Sequence, residues 1–110
     1  MTDKKTRESQ LLELIQDAVN LATVHAKEYG ETFNSNHEAW AVMKEEVEEV
    51  QKEIDWVVRC TELAWNEVKN DEKETFFPLT GSIKRYSLAA ITELLQVVAV
   101  CNKIEGMRED

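Results

Sequence analysis

The sequence predicts an all-α fold, a helical bundle of about four helices, and three observations support this. The 110 residues include one Pro and only three Gly, so helix breakers and turn-forming residues are scarce. Long stretches are rich in Glu, Lys, Ala, Leu and Val, a composition that favours helix. Apolar residues recur at steps of three and four, which is the spacing of one helix face.

The first helix is predicted from about Arg7 to Tyr29, with Gly30 as its end. Its apolar residues repeat at helical spacing from Leu11 onward. The stretch 31–36 is predicted to be a loop whose Asn and Ser side chains cap a second helix, which starts near His37 or Glu38.

The second helix is predicted to continue to Asn70, and a bend or break over Asp55–Cys60 is an alternative. Residues 70–82 combine Asn-Asp with Phe-Phe-Pro-Leu-Thr-Gly-Ser and are interpreted as the main connection. A last helix then runs from Ser82 to about Glu105, and Gly106 ends it.

The chain length suits one domain over residues 1–110, with flexible ends at 1–6 and 105–110. Small helical domains often bury further surface by associating, so a homo-oligomer, a dimer or tetramer, is expected. The Met1–Gln10 segment is polar, and no stretch is interpreted as a secretory signal or a membrane span. These features predict a cytoplasmic protein. Cys60 and Cys101 are interpreted as buried, reduced thiols.

The formal net charge is -9, from 22 acidic and 13 basic residues. Such a charge disfavours binding to nucleic-acid polymers and to anionic membranes. The same excess of carboxylates suits a divalent cation, which can then accept a small phosphorylated ligand.

Carboxylates flank the apolar face of the second helix. That face is a stripe at helical spacing: Met43, Val47, Val50, Ile54 and Val57. At about 100° per residue, Glu46 and Glu53 project beside the stripe and Glu49 lies one step further around. Glu45 and Glu48 point toward solvent. An ordinary solvated acidic face is the alternative interpretation.

In the last helix Glu93 lies on a face with Ala89, Val97 and Val100, and the rest of the helix is almost entirely apolar. We therefore expect a buried carboxylate, which needs a partner or must be protonated. That partner is a basic side chain, a hydroxyl or water network around a protonated acid, or a metal ion shared with Glu46 and Glu49.

Three motifs occur in order: His-Glu-Ala-Trp (residues 37–40), Glu-Glu-Val-Glu-Glu (45–49) and Glu-Leu-Leu-Gln-Val-Val-Ala (93–99). With them the chain resembles the MazG-like all-α nucleoside triphosphate pyrophosphohydrolases, which carry EExxE followed by ExxD on a later helix. It particularly resembles short phage-type members whose second motif reads ExxQ. The resemblance covers roughly residues 34–104.

The resemblance implies Mg²⁺, with Mn²⁺ as a substitute, held by Glu46, Glu49 and Glu93. Gln96 stands where the family usually has Asp, and its neutral carbonyl oxygen binds magnesium more weakly. Water would attack the α-phosphorus of a nucleoside triphosphate, with Glu49 or Glu45 as the base, and would give a monophosphate and pyrophosphate.

Lys84, Arg85 and Lys103 are candidate phosphate contacts, and ordinary surface charge is the alternative. A base-stacking role is considered for Trp40, Trp56, Trp65 and Phe33, but core packing is the preferred interpretation of each. His37 is interpreted as a helix cap, a loop contact or a substrate contact.

Two other functions fit the same sequence. One is an oligomer that keeps the fold, and binds a metal or a nucleotide, but has lost turnover through Gln96. The other is an acidic helical adaptor or inhibitor whose carboxylates meet a basic protein partner.

Overall fold

A computed structural model describes residues 2–109 and the side chains of residues 6–108. Its elements are α1 (Thr2–Lys27), α2 (Asn36–Lys69), α3 (Lys73–Gly106) and a short 3₁₀ helix (Met107–Glu109). The all-α prediction is therefore confirmed, with three long helices where about four were expected. The alternative break over 55–60 does not occur, because α2 is continuous there. The ends predicted to be flexible include Met1 and Asp110, and these two residues lie outside the described part of the chain.

Ser35 is the N-cap of α2. Its hydroxyl oxygen accepts a hydrogen bond from the backbone N–H of Glu38 at 3.1 Å, which satisfies a donor that has no partner inside the helix. Glu38 in turn accepts a hydrogen bond from the Asn34 N–H at 3.0 Å. Gly30 has a φ of 125°, a conformation that other residues rarely adopt, and this explains a Gly just after α1.

A Schellman motif at Asp71 closes α2. The Glu72 N–H donates to the Glu67 carbonyl at 2.9 Å, and the Asp71 N–H donates to the Val68 carbonyl at 3.1 Å. Asp71 has a φ of 56°, in the left-handed region. The chain therefore reverses direction within a few residues, and α3 can begin at Lys73.

The prediction of a connection over residues 70–82 was wrong, since α3 includes Pro78 and Gly81. Pro78 is the sixth residue of α3 and lacks the backbone donor that would bond the Glu74 carbonyl, so it removes one helical hydrogen bond and crowds that carbonyl. Thr75 adds local support because its hydroxyl donates to the Glu67 carboxylate at 2.6 Å. Ser82 is consequently inside α3 and is not a cap.

The described residues divide into two compact units. The hairpin unit is Lys44–Leu94, and the terminal unit consists of the residues before and after it. The buried apolar side chains of the terminal unit are Val19, Ala22, Ala39, Ala99 and Val100. Those of the hairpin unit are Cys60, Ala64 and Ala90.

Few apolar side chains are fully enclosed in either unit. Among the described residues no large side chain is completely buried. The tryptophans are 57%, 47% and 59% exposed at positions 40, 56 and 65, so their interpretation as core residues was wrong for the single chain. Cys60 is buried as expected, whereas Cys101 is half-buried, and both are free thiols. Small residues thus supply much of the interior.

Helix α3 is long and apolar enough, by length and composition, to cross a membrane, which differs from the expectation stated above. The reason lies in its sequence, because Glu93 is the only charged residue between Arg85 and Lys103. Only 22% of its most apolar stretch is buried. One such helix is weak evidence for a membrane span, since the core helix of a soluble protein passes the same test.

We expect Asp71→Gly to stabilise the chain by up to about 1 kcal/mol, because Gly adopts positive φ without the steric cost that a Cβ carries. Asp71→Val should destabilise it, since a β-branched residue fits that region poorly. Urea unfolding of both variants tests this. Equal unfolding midpoints for the two variants would argue against a left-handed residue at this turn.

Candidate carboxylate site

The hairpin unit brings acids from two helices together. Helices α2 and α3 run antiparallel within it, and the carboxyl group of Glu46 on α2 hydrogen-bonds that of Glu93 on α3. Further along the same pair of helices, Trp56 stacks on Tyr86 with ring centroids 5.6 Å apart. The contact of Thr75 with Glu67 lies nearest the turn. The Glu46–Glu93 contact is therefore part of a register held at several points.

The pKa of the Glu46 carboxyl is raised above its ordinary value of 4.5. Partial burial is the largest cause, and the charge of Glu93 is the next. The charge of Glu45, the hydrogen bond with Glu93 and the charge of Glu49 act in the same direction. Ionisation of Glu46 is thus opposed both by its partial burial and by the negative charges around it.

Exposure along α2 follows the helical-wheel argument. Glu46, Glu49 and Glu53 are half-buried, whereas Glu45 and Glu48 are exposed. Glu93 was expected to be buried, but it is half-buried, and its neighbour Leu94 is exposed. The periodic pattern separated the half-buried acids of α2 from the exposed ones. It overestimated the burial of the apolar faces, since Val47 and Ile54 of the predicted α2 stripe are 45% and 42% exposed.

Glu49 has a basic neighbour that the sequence argument overlooked. Its Oε1 atom lies 3.7 Å from Nζ of Lys52, and the two residues are three positions apart on α2. That spacing was a readable signal, since side chains three and four apart are neighbours on a helix. Glu48 is paired with Lys44 in the same way, at 3.3 Å.

Within the described part of the chain, no three His, Cys, Asp or Glu side chains are grouped so that they could hold a metal ion. The structure joins two of the expected ligands, Glu46 and Glu93, directly. Glu49 is in electrostatic reach of Glu46 but is paired with Lys52. Gln96 is half-buried and belongs to the terminal unit.

The basic candidates differ in their surroundings. Lys84 and Arg85 are exposed in the hairpin unit, and the Arg85 guanidinium lies 4.9 Å from the centroid of the Tyr86 ring. Both can reach an anion from solvent.

Lys103 is only 5% exposed, and its ammonium donates to the Ala26 carbonyl at 3.2 Å. The ammonium also lies 4.2 Å from the centroid of the Phe33 ring. The hydrogen bond gives a carbonyl near the end of α1 a partner, so Lys103 has a structural role. The sequence had suggested a lysine at the surface or at a phosphate.

His37 and Trp40 lie together at the start of α2. With Asn36 they line a shallow pocket of about 190 Å³ in the terminal unit. His37 is exposed, and the N-cap is Ser35, so the capping interpretation of His37 does not hold. The expected substrate contact remains a prediction for both side chains.

No protein family, no curated protein and no solved structure matches the chain. The resemblance to MazG-like enzymes is carried by the three sequence motifs.

We expect Glu46→Gln to raise the melting temperature at about pH 7. Because the pKa of Glu46 is raised by folding, its favourable contribution is complete below 4.5 and is lost as the pH rises through the raised value. The amide of Gln cannot ionise, so the variant avoids this loss of stability. Its gain in melting temperature over the natural chain should therefore disappear near pH 4.5. Thermal unfolding between these pH values measures it.

Glu48→Gln is the matched control, since Glu48 is exposed and paired with Lys44. It should give no gain that grows with pH. A melting temperature for Glu46→Gln that falls at neutral pH would contradict the proposed repulsion in the cluster.

Proposed function

We propose that the chain is a magnesium-dependent nucleoside triphosphate pyrophosphohydrolase of the MazG-like type, cytoplasmic and active as a homo-oligomer. The observation that supports it most is the contact between the carboxyl groups of Glu46 and Glu93 from two different helices. A carboxyl group whose pKa is raised by a neighbouring acid, as that of Glu46 is, is common at functional sites.

A divalent cation suits the Glu46–Glu93 pair. Two neighbouring carboxylates repel one another once both are ionised, and a divalent cation held by Glu46 and Glu93 would offset that repulsion. Magnesium usually binds proteins through one or two carboxylates and completes its shell with waters and substrate phosphates, so a cage of three acids is not required. Manganese can take its place, because carboxylate oxygens suit both ions.

When bound, the metal ion supplies positive charge that neutralises phosphate oxygens. Glu49 or Glu45 accepts a proton from the attacking water, whose oxygen bonds to the α-phosphorus as the bond to the pyrophosphate oxygen breaks. Lys84 and Arg85 are exposed and able to meet phosphate oxygens. Gln96 contributes at most a neutral oxygen ligand.

A non-catalytic oligomer that binds a metal or a nucleotide is the second candidate. Two observations favour it: the ion pair between Glu49 and Lys52, which occupies the proposed base, and the amide at position 96. In that case magnesium should raise thermal stability while no pyrophosphate is released.

Self-association would cover the apolar side chains that a single chain leaves in water. On α3 of the hairpin unit, Leu88, Ile91 and Leu94 are 55%, 55% and 47% exposed and share one face. Contiguous exposed apolar surface on a small protein commonly marks an interface. Between Leu88 and Leu94 this face carries no acidic side chain, so the net charge of -9 is not concentrated there.

Pyrophosphate release from deoxynucleoside triphosphates should require magnesium and should fall at least about 100-fold in Glu46→Gln and Glu93→Gln. Glu48→Gln is the control and should retain activity, because Glu48 is exposed and paired with Lys44. A coupled assay for pyrophosphate measures all three. Undiminished release in both cluster variants would refute the assignment.

The double variant Leu88→Glu with Ile91→Glu should dissociate the oligomer, because it places two charges on the exposed apolar face of α3. Sedimentation equilibrium should show a loss of mass, and the helix content by circular dichroism should be retained. Gln51→Glu, at an exposed polar position, should leave the mass unchanged. A natural chain that already sediments as a monomer would contradict the proposal.

A further inference from the structure

The turn between α2 and α3 forms an open pocket that the carboxylate site does not use. Its volume is about 510 Å³, within the range of natural ligand pockets. Val68, Phe76 and Phe77 supply its apolar wall. Since α2 rises about 1.5 Å per residue, the pocket lies about 30 Å along the helix from Glu46. The two sites are therefore independent.

The pocket wall is held by local contacts. The Thr75 hydroxyl donates to the Glu67 carboxylate at 2.6 Å, and the Schellman motif at Asp71 fixes the backbone. The rings of Phe76 and Phe77 meet edge to face, with centroids 5.5 Å apart. A wall built before a ligand arrives reduces the ordering cost of binding.

Apolar surface at this pocket is open to water. Phe77 is 65% exposed and Val68 is 49% exposed, although both side chains are apolar and close to a well-ordered turn. Covering them would remove apolar surface from water, which is favourable at roughly 25 cal/mol per Å². The pocket thus has an apolar anchor point for another molecule.

Acidic groups surround this apolar wall. Glu67, Asp71 and Glu72 line the pocket with a single basic residue, Lys73, so its ionisable side chains carry a net charge of 1 - 3 = -2. The net charge of the whole chain has the same sign, at -9. An approaching anion is repelled, and a cationic partner is attracted over several ångströms.

We propose that this pocket binds a basic peptide segment of a partner protein. An apolar side chain of the segment packs against Phe76 and Phe77, and flanking Lys or Arg side chains meet Glu67, Asp71 and Glu72. A symmetric contact with a second copy is disfavoured, because a two-fold axis would bring the same acids face to face. The charge pattern also excludes a nucleic acid as the occupant.

The test is a titration of the isotope-labelled full chain with a synthetic amphipathic peptide of leucine and lysine, followed by NMR. Shift changes should be confined to residues 67–77, and binding should weaken strongly at about 1 M salt, where the Debye length is about 3 Å. A peptide with glutamate in place of lysine should not bind.

Variants locate the contact. Phe77→Ala should weaken peptide binding about tenfold, as expected for a central aromatic contact. Val68→Ala should weaken it less, and Val58→Ala, which removes the same atoms from a residue of similar exposure (51%), should not weaken it. Asp71→Asn with Glu72→Gln keeps the turn conformation accessible and should reduce both the affinity and its salt dependence.

Three results would overturn the proposal. They are shift changes located elsewhere on the chain, equal binding of the glutamate peptide, and absence of binding to the natural chain. A change of oligomer mass in Phe77→Ala would also overturn it, because the pocket would then be an interface between copies. The peptide-binding results do not bear on magnesium-dependent hydrolysis, so failure here is distinguishable from failure of the proposed enzyme.

Discussion

Two carboxyl groups, those of Glu46 and Glu93, are held against one another by the pairing of α2 with α3. Neighbouring like charges repel each other, and a bound proton or cation relieves that repulsion. The short turn closed by the Schellman motif at Asp71 makes the antiparallel pairing local, and the Trp56–Tyr86 stack supports its register. The proposed chemistry depends on this contact, because without it the acidic residues of α2 are an ordinary solvated face.

Incomplete burial is the second constraint. A chain of three helices cannot surround α3, so apolar side chains such as Leu88 and Ile91 stay in contact with water. Much of the buried interior consists of alanine, which brings little apolar area per residue. Stability is therefore expected to be linked to association, since a partner that covers this face of α3 would remove apolar surface from water.

Helical periodicity predicted the class of fold and which acids of α2 are exposed. It correctly placed Glu46 beside the apolar stripe and Glu45 toward solvent, because an angle of about 100° per residue requires no tertiary information. It failed at residues 73–82, where Pro78 and Gly81 were interpreted as breakers, because local propensity does not include contacts such as that of Thr75 with Glu67. Depth of burial could not be predicted, because it depends on what packs over a face. For the same reason the three tryptophans were assigned to a core that one chain does not provide, and Lys103 was expected at a phosphate.

The central claim is that Glu46 and Glu93 jointly hold a divalent cation. Anomalous scattering from a crystal of the full chain soaked in manganese tests it most directly. The account predicts a manganese peak within coordination distance of both carboxylates. A peak elsewhere, or Glu46 and Glu93 apart with Glu93 facing bulk water, would contradict it.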